Sequence, residues 1–426
     1  MVQHMNLRVI KKKFRQEVIL DVNDCRNSKF VIARKFIALC FKALGGLVLT
    51  FVLAPISLFR PIEIWHLRSR RSKISLLIED LEWGLRNLQK QSSNSKPIVI
   101  ALYCLPFPNK QLVKMYRRVL FLVGPRQIIL GFCLKFVLPI CRITKKNPIE
   151  RCPTMFKTWN SGKPSIFFSK REVKLGINLE RRLFGGDSPP FVCLAIQSVP
   201  YKEVVDIPVN RFYGPLLDDP FASISGIENY LPVIKYLTSR GIAVLRMGVM
   251  EDEKLPSDLG PLVVDYAFDG RTEFGDLWLH SRCQFSINAG SGAHWLAAIF
   301  NVPAVLTDSY AIRSLYDERS LFIPQQGWLS NQRRYITFSE IGNSEFGRNI
   351  SLLQNGMQII KNSSKEIIEV TEEMICRLAG IWIESRQDKD LQTRYRKLVD
   401  EFPAHQRTPA RMGAKFLREH QYLLPD

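Results

Sequence analysis

The sequence has few acidic residues for its size. Its 40 Asp and Glu residues stand against 60 Lys and Arg residues, which gives a net charge of +20 and an isoelectric point near 9.6. This balance favours anionic partners, which are phospholipid headgroups, nucleotide phosphates or nucleic acid. Nucleic acid is not expected, because the chain lacks a recognisable binding module and its basic residues cluster beside apolar stretches, as they do in lipid-binding segments.

The nine cysteines include no Cys-x-x-Cys pair, which argues against a zinc ribbon. Several of them lie inside apolar runs, where buried free thiols are common, and this usage fits a reducing, cytoplasmic compartment. We expect no cleavable signal peptide, because the first long apolar run starts late and no small-residue cleavage site is evident. With 426 residues, the chain is long enough for two domains and additional segments.

One long apolar run lies near the N-terminus, after a basic stretch over residues 1–35. Residues 36–59 (FIALCFKALGGLVLTFVLAPISLF) are long enough to cross a bilayer, which takes ~20 residues. Lys42 and Pro55 interrupt the run, and basic residues on both sides leave its orientation unassigned. Three interpretations stay open: an interfacial or re-entrant anchor with both ends in the cytoplasm, a single span, or a core helix of a soluble domain.

A second apolar and basic stretch covers residues 118–142 (RVLFLVGPRQIILGFCLKFVLPICR). The segment Gly124-Pro125-Arg126 and Lys135 break its apolar runs, so it is not expected to span a membrane. It is either a set of core helices or a membrane-facing ledge with a basic rim, as in monotopic enzymes that act on lipid-linked substrates.

The stretch between these two runs predicts a βαβ unit. Residues 61–66 (PIEIWH) and 96–104 (KPIVIALYC) have the pattern of strands, and residues 74–89 carry leucines at helical spacing. The first domain should therefore be α/β. Glu79, Asp80 and Glu82 crowd its helix. A solvated helix face is the ordinary explanation, whereas a catalytic base from Glu79, Asp80 or His66 is the functional hypothesis.

A longer α/β pattern follows over residues 190–310. Strands are predicted at residues 191–197, 242–247 and 262–266, and helices at residues 225–241, with a Ser-x-x-Glu capping box, and from Thr272 to about Arg282. Short loops on one side predict a doubly wound parallel sheet. Arg246 lies near the carboxyl end of its strand, where ligands bind in open α/β sheets, and it is either a phosphate-binding cation or a member of an ordinary ion pair.

The stretch over residues 283–308 (CQFSINAGSGAHWLAAIFNVPAVLTD) is the most informative part of the chain. An apolar strand meets the small-residue loop at residues 288–292, and a helix over residues 293–300 and a second strand over residues 303–307 follow. A loop that opens a helix in this way leaves backbone N–H groups uncommitted at the positive end of the helix dipole. That arrangement is typical of a site for phosphate or another anion.

These residues resemble a known family. The segments ENYLPVIKYLTSRGIAVLRMG, VVDYA and FGDLWLHSRCQFSINAGSGAHWLAAIFNVPAVLTDS are similar to bacterial GT-B glycosyltransferases found among surface-polysaccharide genes. The HWLAA-x-x-x-x-P pattern after the glycine-rich loop is also similar to the heptosyltransferases of lipopolysaccharide assembly. The resemblance is best over residues 190–325. It implies two Rossmann-like domains and a loop that holds the diphosphate of a nucleotide sugar.

The resemblance also implies a division of the chain. Residues 1–59 would be the basic N-terminus and membrane-associating segment, residues 60–175 the acceptor-side domain and residues 185–365 the nucleotide-sugar side. Residues 366–426 would be helices that pack back on the first domain, with residues 416–424 as the returning segment. Location at the cytoplasmic face of the inner membrane follows, as a peripheral, monotopic or single-span protein with an anionic membrane surface as partner.

Two positions depart from the family pattern. Where relatives carry an Arg-Ile-Gly-His-type turn, this chain reads Lys73-Ile74-Ser75-Leu76, and where they carry an Arg-Asp pair it reads Gln197-Ser198. Both positions would lie at the interdomain cleft, so the departures bear on the catalytic residues.

The resemblance implies metal-independent transfer of a sugar from a nucleotide sugar, as co-substrate, to a cell-surface glycan or lipid-linked acceptor, with no bound cofactor. Glu79 and Asp80 are the candidate catalytic residues, and the candidate donor-binding residues are Arg246, Gly290, Ser291, Gly292, His294, Asp308 and Ser309. His294 could donate to a phosphate oxygen or simply lie on the helix surface. Asp308 and Ser309 could contact the sugar or ribose, or cap a loop.

Two other functions remain as alternatives. A membrane-bound, non-catalytic scaffold fits the two departures. A dinucleotide-dependent oxidoreductase fits less well: Gly290, Ser291, Gly292 and Asp308 loosely imitate the dinucleotide-binding fingerprint, but Trp295 stands where its third glycine is needed.

Overall fold

The structure is a computed structural model that describes residues 29–67, 74–90, 96–103, 106–148, 155–196, 226–249, 251, 253–309, 315–343, 357–402 and 407–424. Several sequence-based expectations lie outside these residues. They concern the basic stretch 1–28, Lys73, the Gln197-Ser198 pair and the Ser225 cap.

The helices and strands alternate along most of the chain. The helices are α1 (Lys29–Phe59), α2 (Ile74–Lys90), α3 (Lys110–Tyr116), α4 (Ile128–Phe136), α5 (Met155–Ser161), α6 (Lys170–Phe184), α7 (Leu231–Ser239), α8 (Glu273–Arg282), α9 (His294–Ala298), α10 (Phe338–Asn343), α11 (Ser364–Leu378), α12 (Arg386–Glu401) and α13 (Ala414–Glu419). The strands are β1 (Ile62–His66), β2 (Ile98–Leu102), β3 (Phe121–Val123), β4 (Ile143–Lys146), β5 (Phe191–Ile196), β6 (Ala243–Met247), β7 (Val263–Val264), β8 (Ser286–Ala289), β9 (Ala304–Ser309), β10 (Leu321–Pro324), β11 (Gln326–Leu329), β12 (Arg334–Tyr335), β13 (Met357–Ile360) and β14 (Arg411–Met412).

Two parallel sheets organise these elements. The first sheet has four strands in the order β3-β2-β1-β4, and the second has seven in the order β14-β10-β9-β8-β5-β6-β7. A small antiparallel sheet, β12-β11-β13, follows the second. The predicted α/β class is therefore confirmed, with two parallel sheets and an apolar N-terminal helix.

The second sheet has a hydrophobic core on each face. Val192 and Leu194 of β5 belong to one cluster, whereas Phe191 and Cys193 belong to another, because successive side chains of a strand point to opposite faces. Continuous apolar runs are what parallel strands need when helices cover both faces. The predicted cap of α8 is also confirmed, since the Gly275 N–H donates to the Thr272 hydroxyl over 3.0 Å.

Helix α2 joins the two sheets. The first and second units are the parts of the chain built on the first and the second sheet. Leu77 and Leu81 on α2 share one apolar cluster with Trp295 and Ile299 of the second unit. Arg86, which is fully buried, pairs with Glu82 over 2.7 Å and donates to the carbonyls of Trp159 (2.8 Å) and Ile299 (3.1 Å). A buried ion pair is tolerated when further hydrogen bonds satisfy it, as these carbonyls do.

The C-terminal helices lie on the second sheet. Residues 416–424 were expected to return to the first domain, but Phe416, Leu417 and Leu423 belong to the core of the second sheet. Strand β14 extends that sheet beside β10, and the backbone N–H of Ala414 donates to Glu373 on α11 over 2.6 Å. The second unit therefore includes the chain after residue 365.

Both apolar stretches near the N-terminus expose much of their surface. Residues Ile37–Phe59 of α1 are long and apolar enough to cross a membrane, with a mean hydropathy of 2.2, and 11% of this span is buried. On α4, which packs against α1, Leu134 is the buried residue, and Ile129 is 77% exposed. A core-helix interpretation fits neither element, because core helices bury their apolar side chains.

Candidate functional site

The candidate donor-binding residues meet at one edge of the second sheet. Strands β6, β8 and β9 are parallel members of that sheet, so their carboxyl ends lie on the same side. Arg246, the loop at residues 290–292 and Asp308 stand at those ends. This is the edge where open α/β sheets bind ligands.

The glycine-rich loop turns sharply after β8. Gly290 has φ +58°, a left-handed conformation that glycine adopts without steric cost, and its N–H donates to the Thr307 carbonyl over 3.4 Å. The Ser291 hydroxyl accepts the Ala293 N–H over 3.2 Å. Among the described hydrogen bonds, none uses the backbone N–H groups of Ser291 and Gly292. These two amides are available to an anion.

The helix after the loop is shorter than the sequence indicates. It was expected over residues 293–300, but α9 covers His294–Ala298, and Phe300 and Asn301 form tighter bonds to the carbonyls three residues back. A single α-turn has little dipole, so the loop amides rather than the helix axis are the anion-binding feature.

The loop lies at the junction of the two units. A Cβ atom added to Gly292 would lie 3.5 Å from the Cβ of Ser75, at the start of α2. Ser75 belongs to the turn where the family pattern departs, and the structure therefore places the described part of that turn against the loop, as expected for a cleft residue.

The acidic cluster on α2 is buried. Glu79 is 8% exposed, and Asp80 and Glu82 are fully buried, so the expected solvated face is wrong. The physical reason is that α2 lies between the first sheet and the second unit. The Tyr316 hydroxyl donates to Glu79 across the junction. Burial raises the pKa of Glu82, although Arg86 opposes the shift. A catalytic role for Glu79 or Asp80 stays a prediction.

Arg246 is paired within the protein. Its guanidinium lies 2.8 Å from Glu251 and 3.4 Å from Asp265, and it donates to the Glu253 carbonyl over 2.5 Å. The side chain is almost completely buried. This arrangement is the ordinary ion pair that the sequence left open, and it fixes the segment that follows β6.

His294 is hydrogen-bonded to the glycine-rich loop. It is 4% exposed rather than on a helix surface, and its Nδ1 lies 3.0 Å from the Ser291 carbonyl. Since a carbonyl only accepts, Nδ1 carries the proton, and the neutral ring then presents Nε2 as an acceptor. Donation from His294 to a phosphate oxygen would therefore need the charged imidazolium.

A second histidine lies behind the loop. His280 on α8 is buried, with Nδ1 2.7 Å from the Asp276 carbonyl. Burial, together with the smaller effect of the nearby His294, lowers the pKa of His280 to about 4. His280 is thus neutral near pH 7, which keeps positive charge away from the core beneath the loop.

Asp308 acts as a latch. Its carboxylate accepts the Tyr230 hydroxyl over 2.7 Å and the Asn362 N–H over 2.8 Å, while the Asp308 N–H donates to the Asn362 side chain over 2.7 Å. These bonds tie the end of β9 to the segment before α11, as a loop cap does. Ser309 follows at the same edge, where its carbonyl accepts the Gln325 N–H over 3.2 Å.

Trp295 separates this loop from a dinucleotide-binding turn. It is buried, with ring centroids 5.6 Å from Trp159 and 5.0 Å from Tyr316. The third glycine of the dinucleotide fingerprint allows close helix–strand packing, which a tryptophan cannot provide. The packing disfavours the oxidoreductase alternative.

Sequence reasoning missed three buried polar groups near this edge. Gln325 directly follows β10 and is fully buried, and neither polar atom of its side chain has a hydrogen-bond partner among the described residues. The same holds within that part of the chain for Asn288 Oδ1 and His280 Nε2. Such groups are rare in folded proteins and call for an explanation. The only sequence signal for Gln325 is its place directly after an apolar run.

Within the described residues, no group of three or more His, Cys, Asp and Glu side chains is placed to hold a metal ion. Metal-independent chemistry stays a prediction.

No protein-family model matches the chain, and no curated protein matches it. Solved structures do. The glycosyl transferase family 9 structure from Veillonella parvula DSM 2008 is similar with a TM-score of 0.44 and 10% identity, over 74% of this chain and 98% of that chain. The dodecameric iron-containing heptosyltransferase TibC, in complex with ADP-D-beta-D-heptose, gives a TM-score of 0.30 at 13% identity over 60% of each chain. A second TibC structure, from enterotoxigenic E. coli H10407, gives 0.28 at 14% identity, also over 60% of each chain.

Proposed function

We propose that the protein is a glycosyltransferase that moves a sugar from a nucleotide sugar to a cell-surface glycan or lipid-linked acceptor without a metal ion. One observation carries the proposal. The loop at residues 290–292 has two backbone amides that no hydrogen bond among the described residues uses, and it faces the start of α2 in the first unit. A donor on one unit and an acceptor on the other would meet there.

In this proposal the amides of Ser291 and Gly292 bind the diphosphate of the donor. As the bond to the sugar breaks, negative charge grows on the leaving diphosphate, and preorganised N–H groups stabilise charge that develops in a transition state. His294 orients the loop through its bond to the Ser291 carbonyl. No metal ion is required for this stabilisation.

The base would come from the first unit. Glu79 is the nearer candidate, because it lies one helical turn after Ser75, which faces Gly292. A general base must reach the acceptor hydroxyl, so Glu79 would have to exchange its bond from Tyr316 for one to the acceptor. Asp80 is fully buried and would need a larger rearrangement.

The membrane is the proposed location of the acceptor. Helix α1 exposes its apolar side chains along Ile37–Phe59, and such a surface is covered in a stable protein. We place the protein at the cytoplasmic face of the inner membrane, with α1 as its attachment.

Thermal unfolding in the presence of UDP-, GDP-, ADP- and CMP-sugars tests the donor. One class should raise the melting temperature, since a ligand at 100 times its Kd adds about 2.7 kcal/mol of stability. Calorimetry on Gly292→Leu should then show at least a tenfold loss of affinity for that sugar nucleotide. Gly186→Leu is the matched control, because nothing lies within 4 Å of its Cβ position. Equal binding by both variants would remove the loop from the site.

A non-catalytic scaffold is the second candidate. It is favoured by the side chains at the junction, since Glu79, Arg246 and Asp308 are all engaged in bonds within the protein. The same thermal series separates the two functions: no stabilisation by any of the four nucleotide-sugar classes would support the scaffold.

A further inference from the structure

The carboxyl edge of the first sheet combines an apolar pocket with a group of cations. His66 at the end of β1 lies opposite Leu102 of β2, and Leu102 lies opposite Val123 of β3. Lys145 of β4 lies opposite Ile64 of β1. Partners in parallel strands share a face, so these side chains all point to the side that α1 and α4 cover.

The β2–β3 end of this edge is apolar. A shallow, solvent-open pocket lies there, and its lining includes Leu102, Tyr103, Val123, Ile128, Gly131 and Phe132. Ile128 is 49% exposed, so the pocket borders the apolar surface of α4. Its lining offers an apolar surface against which a hydrocarbon chain would lie.

The β1–β4 end is basic. The Lys145 ammonium donates to the Lys135 carbonyl over 2.7 Å, and the ammonium groups of Lys42 and Lys135 lie 4.0 and 5.3 Å from the ring centroid of Phe132, a wall of the pocket. Within the described residues, no carboxylate pairs with Lys42, Lys135 or Lys145. Lys146, on the other face of the sheet, does pair with a carboxylate, that of Glu63 at 2.8 Å.

Lys135 and Lys145 disfavour a positive charge on His66. Burial lowers the pKa of His66, and the charges of Lys135 and Lys145 lower it further. Burial also lowers the pKa of Lys145. A bound anion would relieve this repulsion, and a phosphate monoester, with up to two charges, would do so better than a phosphodiester with one.

Helix α1 places this edge at a membrane surface. The Thr50 hydroxyl accepts the Leu138 N–H over 2.9 Å, and the Cβ position of Gly46 falls 2.5 Å from the Cβ of Phe136. The middle of α1 is therefore fixed against the first unit, while Phe51 on its other side is 72% exposed. Because the exposed side of α1 is apolar, contact of this helix with a membrane would bring the edge of the first sheet to the membrane surface.

We propose that this edge binds a phosphorylated membrane lipid, with the phosphate on Lys135, Lys145 and His66 and the start of one hydrocarbon chain in the pocket beside Phe132. This lipid would be the anchor of the acceptor, a role that rests on the proposed glycosyl transfer. Binding of the lipid does not depend on it.

Flotation of the full chain with vesicles tests the site without a sugar donor. Phosphatidylcholine vesicles would carry either a polyprenyl monophosphate or phosphatidylglycerol at matched total charge. Wild type should bind the monophosphate vesicles about tenfold more tightly, and Lys135→Gln/Lys145→Gln should lose this preference. The control Lys174→Gln/Lys235→Gln removes two exposed lysines elsewhere and should keep it.

A separate variant tests the contribution of the pocket. A Cβ at Gly131 would lie 3.7 Å from Val123, an ordinary contact, so Gly131→Leu should fold and fill the pocket. Its melting temperature should match wild type, while its preference for the monophosphate lipid should fall. Equal binding to both vesicle types, an unchanged preference in the lysine or pocket variant, or full competition by inorganic phosphate alone would overturn the proposal. A failed sugar-nucleotide screen with intact lipid preference would count against the transferase and not against this site.

Discussion

At the carboxyl edge of the second sheet, Arg246 and Asp308 are fully paired within the protein, whereas at the carboxyl edge of the first sheet Lys135 and Lys145 have no carboxylate among the described residues. The second edge leaves backbone amides for a ligand, and the first leaves side-chain cations. Amides in a fixed frame suit a diphosphate that must be held and then released in one geometry. Flexible lysines suit a headgroup that arrives from a membrane surface.

The largest expected effect is at the buried contact that joins the two units. Arg86→Ala would leave Glu82 buried without its cation and the carbonyls of Trp159 and Ile299 without a donor. Removing one partner of a buried ion pair destabilises a protein by roughly 3–5 kcal/mol. Urea unfolding should show this loss.

Arg240→Ala serves as the control for Arg86, since the ion pair of Arg240 with Glu372 is exposed and should contribute under about 1 kcal/mol. Similar losses in both variants would mean that the two units are not held together by the buried pair.

Sequence patterns found the strands, the glycine-rich loop and the Thr272 cap because each depends on residues close together in the chain. They failed on α2. Its leucines mark one apolar stripe, but the helix is covered by the first sheet on one side and by the second unit on the other, so Glu79 and Asp80 are buried as well. Burial of this kind depends on contacts between distant segments, such as that of Glu79 with Tyr316.

For the site residues too, the sequence predicted local features but not contacts between distant segments. Gly290 was identified because it belongs to a small-residue loop between a strand and a helix, which is a local pattern. The latch role of Asp308 depends on Asn362, 54 residues later, and the pairing of Arg246 depends on carboxylates in a loop with no strong pattern. Residue type and position in the sequence were enough to locate the carboxyl edge of the second sheet. Which polar groups at that edge are left for a ligand depends on hydrogen-bond and ion-pair partners from distant segments.

The next prediction tests whether Asp308 holds the end of β9 in place or contacts the ligand. Asp308→Asn removes one acceptor from the Tyr230 hydroxyl or the Asn362 N–H, and an unsatisfied buried group destabilises by about 1–3 kcal/mol. Stability should fall while the affinity for the donor nucleotide sugar stays within about twofold.

Tyr230→Phe is the companion variant for Asp308→Asn, because it removes the hydroxyl that donates to the Asp308 carboxylate. A loss of donor affinity in Asp308→Asn alone would show that the carboxylate contacts the ligand and would break the contrast between the two edges.

A smaller effect is expected in the pH dependence of stability, which compares His280 near the second edge with His66 at the first. Burial lowers the pKa of His280 to about 4 from its usual 6.5, so the unfolded chain takes up a proton first and native stability falls as the pH drops from 6.5 toward 4. From pH 7 to pH 5 the stability advantage of wild type over His280→Gln should shrink by about 2 kcal/mol.

The pKa of Asp276 is raised to about 6 by burial, which acts in the opposite direction, but this contribution is present in both proteins and largely cancels. His66→Gln should show a smaller change of the same sign, since His66 is only half-buried and its pKa is also lowered. A pH-independent difference between wild type and His280→Gln would mean that His280 takes up a proton as readily in the folded protein as in the unfolded chain.

The smallest effect concerns the loop. Gly290 has φ +58°, and a left-handed conformation destabilises a residue with a side chain by about 1–2 kcal/mol. Gly290→Ala should lower stability by that amount, and it should also weaken donor binding if the amides of Ser291 and Gly292 are aimed by the turn. Gly186→Ala, at a position without a left-handed φ, should change neither quantity. If Gly290→Ala loses stability but keeps full affinity for the donor, the diphosphate does not depend on the loop geometry, and the free amides would no longer distinguish the second edge from the first.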